Sequence, residues 1–453
     1  MNFELLFSDQ PHRKVRYALT GANGGFARTL LAQTRLMPRL VPAALCDLDI
    51  VGLRTLCIEL GFSNLYECDS VESITHVPAD GVILVADVAL LKYVPHDILV
   101  EATGNPSVGY RAACEALEAD RHVAMVSKEV DTVVGVSLSR KARDKGLVYT
   151  TADGDQPANL IGLVSWARTL GLEIIAAGKS SEYDLVFDPA SGMLSQLEQR
   201  ISAPGLADLL RLSDDIPTTL KARRDTLGNL KTSATADYCE MNVVATNTGL
   251  VADIESMHYP IARVSELADI YAMREDGGIV QRAGVVDVFN MLRLPDEVSF
   301  AGGVFVVVRA GDQPTWQMLA QKGHIVSRNG RYACMYLPYH FMGVETPISL
   351  LNAVLHRRAS GSVQPTACSV LAGRAIDRIA AGTVLKMGGH HHDVNGVRPV
   401  LLALDNVPRS IAPLYLAANA RAAVDIHPGE LILLEDIVDY DVSLRDAWLG
   451  GLN

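Results

Sequence analysis

The chain has 453 residues, 49% of them hydrophobic and 20% charged. A length of this order divides into roughly three domains of about 150 residues, and the composition excludes collagens, disordered tails and disulfide-stapled miniproteins. Lys+Arg 40 against Asp+Glu 52 leaves a formal charge of −12, which argues against a general binder of nucleic acid or anionic membrane. No apolar stretch approaches the length of about 18 residues that reads as a membrane span. The opening MNFELLFSDQPHRKVR places its apolar residues ahead of its charges, with no small-residue cleavage site, so it does not read as a signal peptide. The seven cysteines are never spaced as CxxC. That suits free thiols in a reducing, cytoplasmic compartment and argues against a zinc site or a disulfide framework.

In chain order, VRYALT (15–20) is a β-forming run followed at once by Gly21-Ala22-Asn23-Gly24-Gly25-Phe26-Ala27 and a helical pattern in ARTLLAQTRLM. Strand, glycine turn and helix form the context of a dinucleotide fingerprint. Gly21 would permit the tight turn, and Gly24 or Gly25 would let the backbone approach a pyrophosphate. Ala27 would keep helix and strand close. Asn23 and Phe26 belong to the same cradle. A second run, LVPAALC (40–46), ends in Asp47-Leu48-Asp49. An acid at that tip accepts hydrogen bonds from an adenosine ribose and repels a 2′-phosphate, so Asp47 favours NAD(H). The alternative is a plain cap on the next helix, and Arg54 keeps NADP(H) open.

DILVEATG (97–104) then leads through Thr103-Gly104-Asn105-Pro106 into a helix, GYRAACEALEAD. This turn is expected at the carboxyl edge of the sheet, beside a nicotinamide ribose. HVAMVSKE (122–129) reads as a buried strand carrying Lys128, SLSRKARDKG (137–146) as its crossover helix, and LVYTTADGDQP as the next strand. Alternating elements with near-continuous apolar strands predict a doubly wound parallel sheet of Rossmann type over 1–155.

Beyond it, the helix ANLIGLVSWARTLG precedes the β-run EIIAAGKSSEYD, and a polar, helix-forming stretch spans about 190 to 236. EMNVVATNTG, GGIVQRAGVVDVF and GGVFVVVRA read as further β-rich runs. They predict an α+β substrate-binding and oligomerisation domain over 156–365, whose helix 344–360 packs back on the first domain. Polar residues at strand ends mark a cleft: Lys128, Lys179 in EIIAAGK, Asp155 and Gln156 in GDQP, Glu240, and Asp287 in GVVDVF. A buried lysine, its pKa lowered by burial, could polarise a carbonyl or relay a proton. His340 in PYH is a candidate general acid or substrate-binding group, with His258 a weaker one; a satisfied structural role is the alternative for each of these residues.

The remaining 366–453 contain a repeat. Residues 373–385, GRAIDRIAAGTVL, recur as 420–432, ARAAVDIHPGELI, each with a turn glycine, Gly382 and Gly429. Paired units of this kind predict a small self-complementary β domain. His390-His391-His392 between them reads as a solvated loop rather than a metal site, because neighbours in a turn point apart and no second ligand cluster supports them. No metal ligands are assigned.

With these motifs in view, the chain from about 14 to about 436 resembles the bacterial deoxyxylulose-phosphate reductoisomerase-like enzymes, which have a homoserine-dehydrogenase-like body and a C-terminal SAF domain. The resemblance is carried by VRYALTGANGG, EATGNPSVG, HVAMVSKEVD, GDQP, AAGKS, EMNVVATNTGLVADIESMH, GGIVQRAGVVD, GVFVVV, PYH and the repeat. It implies an NAD(P)-dependent oxidoreductase with its site between the first two domains. Lys179, Glu240, Asp155 and His340 fall in blocks shared with those enzymes, and Lys128 matches a lysine of homoserine dehydrogenases. Asp47 departs from the family's basic, NADP-favouring tip, Gln156 stands where the family has an acid, and 190–236 is altered.

The expected chemistry is hydride transfer to or from a small polar hydroxy or keto substrate: a polyol, sugar acid or sugar phosphate. Lys128 or Lys179 would stabilise the alkoxide, while Asp155 and Glu240 hold substrate hydroxyls, directly or through a divalent cation. The alternatives are a homoserine-type dehydrogenase and a non-catalytic dinucleotide-sensing protein. A homodimer or homotetramer is expected, with no nucleic-acid or membrane partner.

Overall fold

A computed structural model describes residues 2–389 and 392–452. His390 and His391, two of the three histidines read as a solvated loop, lie outside the described residues, and His392 lies within them. The apolar runs of the first third form β1 (Val15–Thr20), β2 (Leu40–Cys46), β3 (Leu65–Glu67), β4 (Val82–Val85), β5 (Ile98–Glu101), β6 (His122–Met125) and β7 (Tyr149–Thr151). They make one seven-stranded sheet in the order β3-β4-β2-β1-β5-β6-β7, parallel throughout. This is the doubly wound class expected. The strand order reverses between β1 and β5, the place where such sheets bind ligands. The two turns meet there, since Gly21 has φ +62° and a Cβ on it would stand 2.3 Å from the Ala102 carbonyl oxygen.

The second domain is built on a ten-stranded mixed sheet. Its main strands are β8 (Ile174–Ser180), β9 (Leu185–Asp188), β10 (Met193–Gln196), β11 (Gln199–Ser202), β12 (Val285–Arg293), β13 (Val304–Arg309) and β14 (Tyr332–Leu337). β8 is central, paired with β12 on one side and antiparallel with β13 on the other, and Lys179 lies in register with Val288 and Val304. The 346–351 helix returns to the first domain, where Leu350 and Leu351 join its core.

Three expectations fail. The run 240–249 is not β-rich: 240–248 lie in a helix, Thr235–Thr248, which Gly249 terminates. Lys128 is not on a strand: β6 ends at Met125, and a helix runs from Lys128 to Asp144, nine residues ahead of the expected start. The 235–248 helix and the first half of the 128–144 helix are buried on nearly every side, so no polar face marks a 3.6-residue period there, and their Val and Thr residues mimic strand composition. The stretch 190–236 holds the β10–β11 hairpin ahead of a helix at Ile216–Asp225. Only alternate residues of β10 are buried, which leaves too few apolar positions to announce a strand.

In the last domain the two repeat copies pair with each other. Ile379 and Ile426, equivalent positions, exchange both backbone hydrogen bonds at 2.9 Å. The repeat offset also converts the bridge Arg374–Leu431 into the bridge Val384–Arg421. The unit is therefore a pseudo-two-fold β module, beside the antiparallel pair Ser369–Ala375 and Val397–Ala403. Its strands pack on the 235–248 helix, which also touches the 128–144 and 156–169 helices. Among the described residues no helix is long and apolar enough to cross a membrane, and all seven cysteines are free thiols.

Candidate active site

At the switch point the backbone forms a cradle. Gly24 is the N-cap of the Gly25–Thr34 helix and supplies no capping side chain, so the first-turn amides are available to an anion. A Cβ on Gly25 would meet no heavy atom within 4 Å. These residues fit a bound pyrophosphate. Asp47 braces the loop: Oδ2 accepts from Asn23 N at 2.9 Å and Oδ1 from Asp49 N at 3.0 Å. The helix cap is Asp49, not Asp47, and Arg54 is paired with Glu67. Phe26 and Ala27 are buried behind the cradle.

After β5 the turn is organised by Glu101, which the sequence reading missed. Its Oε1 accepts from Thr103 N at 2.9 Å, Thr103 Oγ1 at 2.5 Å and Thr20 Oγ1 at 3.2 Å. Burial pushes this carboxyl up. The signal for it was an acid at the tip of an otherwise apolar strand. Asn105 caps the next helix through Val108 N. Gly104 N donates to Ser127 Oγ at 2.8 Å, so the turn is joined to the residue just before Lys128.

Lys128, Asp155, Lys179, Glu240 and His340 line one cavity of about 490 Å³. Lys128 opens the 128–144 helix, Lys179 sits near the end of β8, and Asp155 caps the 156–169 helix through Gln156 N. Glu240 is shared between the lysines: Oε1 lies 2.5 Å from Lys128 Nζ, and Oε2 pairs with Lys179 Nζ. Lys179 also pairs with Asp237 Oδ1 at 2.7 Å, and Tyr259 OH donates to Asp237 Oδ2 at 3.1 Å. Asp237 was missed because its segment read as β. As a helix, the spacing of three puts both acids on one face.

The expectation that burial lowers the lysine pKa values is overturned. Burial opposes the charge on Lys128, but Glu240, Asp155 and Glu129 outweigh it and hold the ammonium well above its usual range. Burial is likewise outweighed at Lys179, by Asp237 and Glu240. For Glu240, burial alone would raise the carboxyl, yet the two ammonium groups bring it down to about 2. Asp155 goes the other way: burial raises it, offset only in part by Lys128. The side chain of Lys179 is 2% exposed and that of Lys128 is 24%, so Lys128 is the cation a ligand can reach.

His340 lies against Gly302, where φ is +77° and a Cβ would stand 2.1 Å from His340 Nδ1. Gly302→Ala should displace the imidazole and strain a left-handed backbone, raising KM for the eventual substrate about tenfold and lowering the melting temperature by a few degrees. Steady-state kinetics with thermal melts check this; unchanged KM would remove His340 from substrate binding. His258 and Asp287 do not line the cavity. Asp287, held at about 6 by burial, accepts from the backbone N–H groups of His258, Tyr259 and Val288. It thereby positions Tyr259, the donor to Asp237, while His258 Nε2 pairs with Asp253 at 2.9 Å.

Among the described residues no three His, Cys, Asp or Glu side chains are placed to hold a metal ion. Asp237 and Glu240 are both engaged by lysine. A second cavity of about 430 Å³ adjoins the first through Glu182, Tyr183 and Asp237, and extends past the β10–β11 hairpin to Gln196 and Lys231.

Residues 223–346 match the family model described as oxidoreductase DRL, catalytic domain. That stretch contains Asp237, Glu240, Tyr259, Gly302 and His340, and leaves Lys128 and Lys179 outside it. No curated protein matches the chain. Similar solved structures include an oxidoreductase from Bacillus cereus (11% identity, 78% of this chain and 92% of that one, TM-score 0.38). A dipicolinate-bound dihydrodipicolinate reductase from Paenisporosarcina sp. TG-14 is another (11%, 76% and 97%, TM-score 0.33). A third is a DOX-P reductoisomerase with fosmidomycin and magnesium (15%, 52% and 58%, TM-score 0.33).

Proposed function

We propose that the protein is a nicotinamide-dinucleotide-dependent oxidoreductase acting on a hydroxyl or carbonyl carbon of a small polar substrate: a polyol, sugar acid or sugar phosphate. One observation carries this reading. Glu240 joins Lys128 to Lys179 in the wall of a polar cavity, and Lys128 follows the serine that anchors the turn at the dinucleotide crevice. Asp47 at the tip of β2 disfavours a 2′-phosphate, and Arg54 is occupied by Glu67, so NAD(H) is the preferred form.

When bound, the nicotinamide gives or takes the hydride. The rest falls to this chain. Lys128, the accessible cation, stabilises negative charge on the substrate oxygen. Asp237 and Glu240 fix the lysines in place and balance their charge. Asp155, a stronger base because burial raises its carboxyl, takes the hydroxyl proton in the oxidation direction and returns it in reduction. His340 and Gln156, which line the same cavity, orient substrate hydroxyls. No step needs a divalent cation.

Calorimetry with NAD(H) and NADP(H), followed by a screen of polyols, sugar acids, their phosphates, deoxyxylulose phosphate and homoserine, tests the reading. Tighter binding of NAD(H) and turnover of one phosphorylated or polyhydroxylated compound is expected. Uptake of neither dinucleotide would end it, and tight binding without any turnover would favour a redox-sensing protein.

A further inference from the structure

The third domain reaches the same crevice. His392 lies across the turn after β5: a Cβ on Gly104 would stand 3.0 Å from His392 Cε1. Its Nδ1 donates to Glu129 Oε1 at 2.9 Å, and Glu129, next to Lys128, lines the main cavity. The segment is tied to the opposite wall as well. Thr235 Oγ1 donates to Asp393 Oδ1 at 2.5 Å, Tyr415 OH donates to the His392 carbonyl at 3.4 Å, and Cys239 Sγ donates to Tyr415 OH at 3.3 Å. Thr235 and Cys239 belong to the helix that bears Asp237 and Glu240. With Nδ1 engaged, Nε2 keeps its hydrogen-bonding capacity, and the side chain is 36% exposed.

We propose that His392 is a cofactor-binding residue supplied by the C-terminal domain, closing the crevice at Gly104 and hydrogen-bonding through Nε2 to the nicotinamide-nucleoside half of the dinucleotide. This rests on the dinucleotide reading of the crevice. Glu129 fixes the ring, and Asp393 with Tyr415 fixes the backbone beneath it, so the contact is prepared before a ligand arrives. The inference gives the β module a place in the site that its sequence does not suggest.

The test uses the full chain and two probes: NADH, and ADP, which lacks the nicotinamide nucleoside. His392→Ala should weaken NADH binding about tenfold and leave ADP binding unchanged, while His392→Gln, which keeps a donor, recovers part of the loss. Glu129→Gln should weaken NADH binding too, and the double variant with His392→Ala should lose less than the two single losses combined. If His392→Ala binds NADH as the parent does, or loses NADH and ADP equally, the proposal is overturned while the dinucleotide reading stands. If the parent chain binds no NADH, both fall together.

Discussion

Replacing Lys179 with Met should lower kcat by about a hundred- to a thousandfold, because Glu240 and through it Lys128 lose their fixed position, with NAD(H) affinity near that of the parent. The ammonium lies between Asp237 and Glu240 with 2% of its side chain exposed. Removing it leaves two buried acids facing one remaining lysine, and breaking a buried pair in this way costs about 3–5 kcal/mol. Lys179→Met combined with Asp237→Asn should regain part of that stability without regaining turnover. An active double variant would make Lys179 a structural residue only. The pH dependence gives a second reading of the same contact. Glu240 titrates near 2 in the folded chain against a usual value of 4.5. A depressed carboxyl contributes stability that is full above about 4.5 and is lost as pH falls through about 2, here about 3 kcal/mol. With Lys179 gone the folded value rises, so the variant's urea midpoint should stop responding to pH where the parent's is still falling. Parallel acid limbs in parent and variant would contradict the pairing.

Two glycine substitutions should separate fold from cofactor. In Gly21→Ala the new Cβ meets the Ala102 carbonyl oxygen at 2.3 Å with φ at +62°, which forces apart the turns after β1 and β5. Stability should fall by about 1–3 kcal/mol, and dinucleotide affinity should fall by tenfold or more. In Gly25→Ala the Cβ enters open space at the first position of a helix, so the melting temperature should hold or rise. If a pyrophosphate approaches that amide, the methyl group takes its space and affinity drops with the fold intact. Undiminished affinity in folded Gly25→Ala would place the phosphates elsewhere.

The first domain was legible because each of its local signals agrees with the fold: apolar strands, a glycine turn before a helix, an acid at the tip of β2. Lys128, Lys179, Asp155, Glu240 and His340 could be picked out as polar residues bounding apolar runs, and the structure brings them to one cavity. What could not be read was how they meet. Glu240 stands on a helix whose neighbours cover every side, so its segment lacks the polar face that would have shown the period and, with it, Asp237. Glu101 was hidden by the strand it ends. The charge state of the lysines was misjudged because burial is visible in a sequence and counter-ions are not. His392 was beyond reach for a different reason: its partners Gly104 and Glu129 lie in another domain, and no local pattern encodes a contact across so much chain.

Glu240 also constrains how anything enters. One of its oxygens is held from the dinucleotide domain, by Lys128, and the other from the mixed sheet, by Lys179. A jaw-like parting of the two bodies would tear a buried carboxylate from one cation or the other. The adjoining chamber, edged by the β10–β11 hairpin, shares Glu182, Tyr183 and Asp237 with the wall of the main cavity, on the side away from that rivet's Lys128 contact.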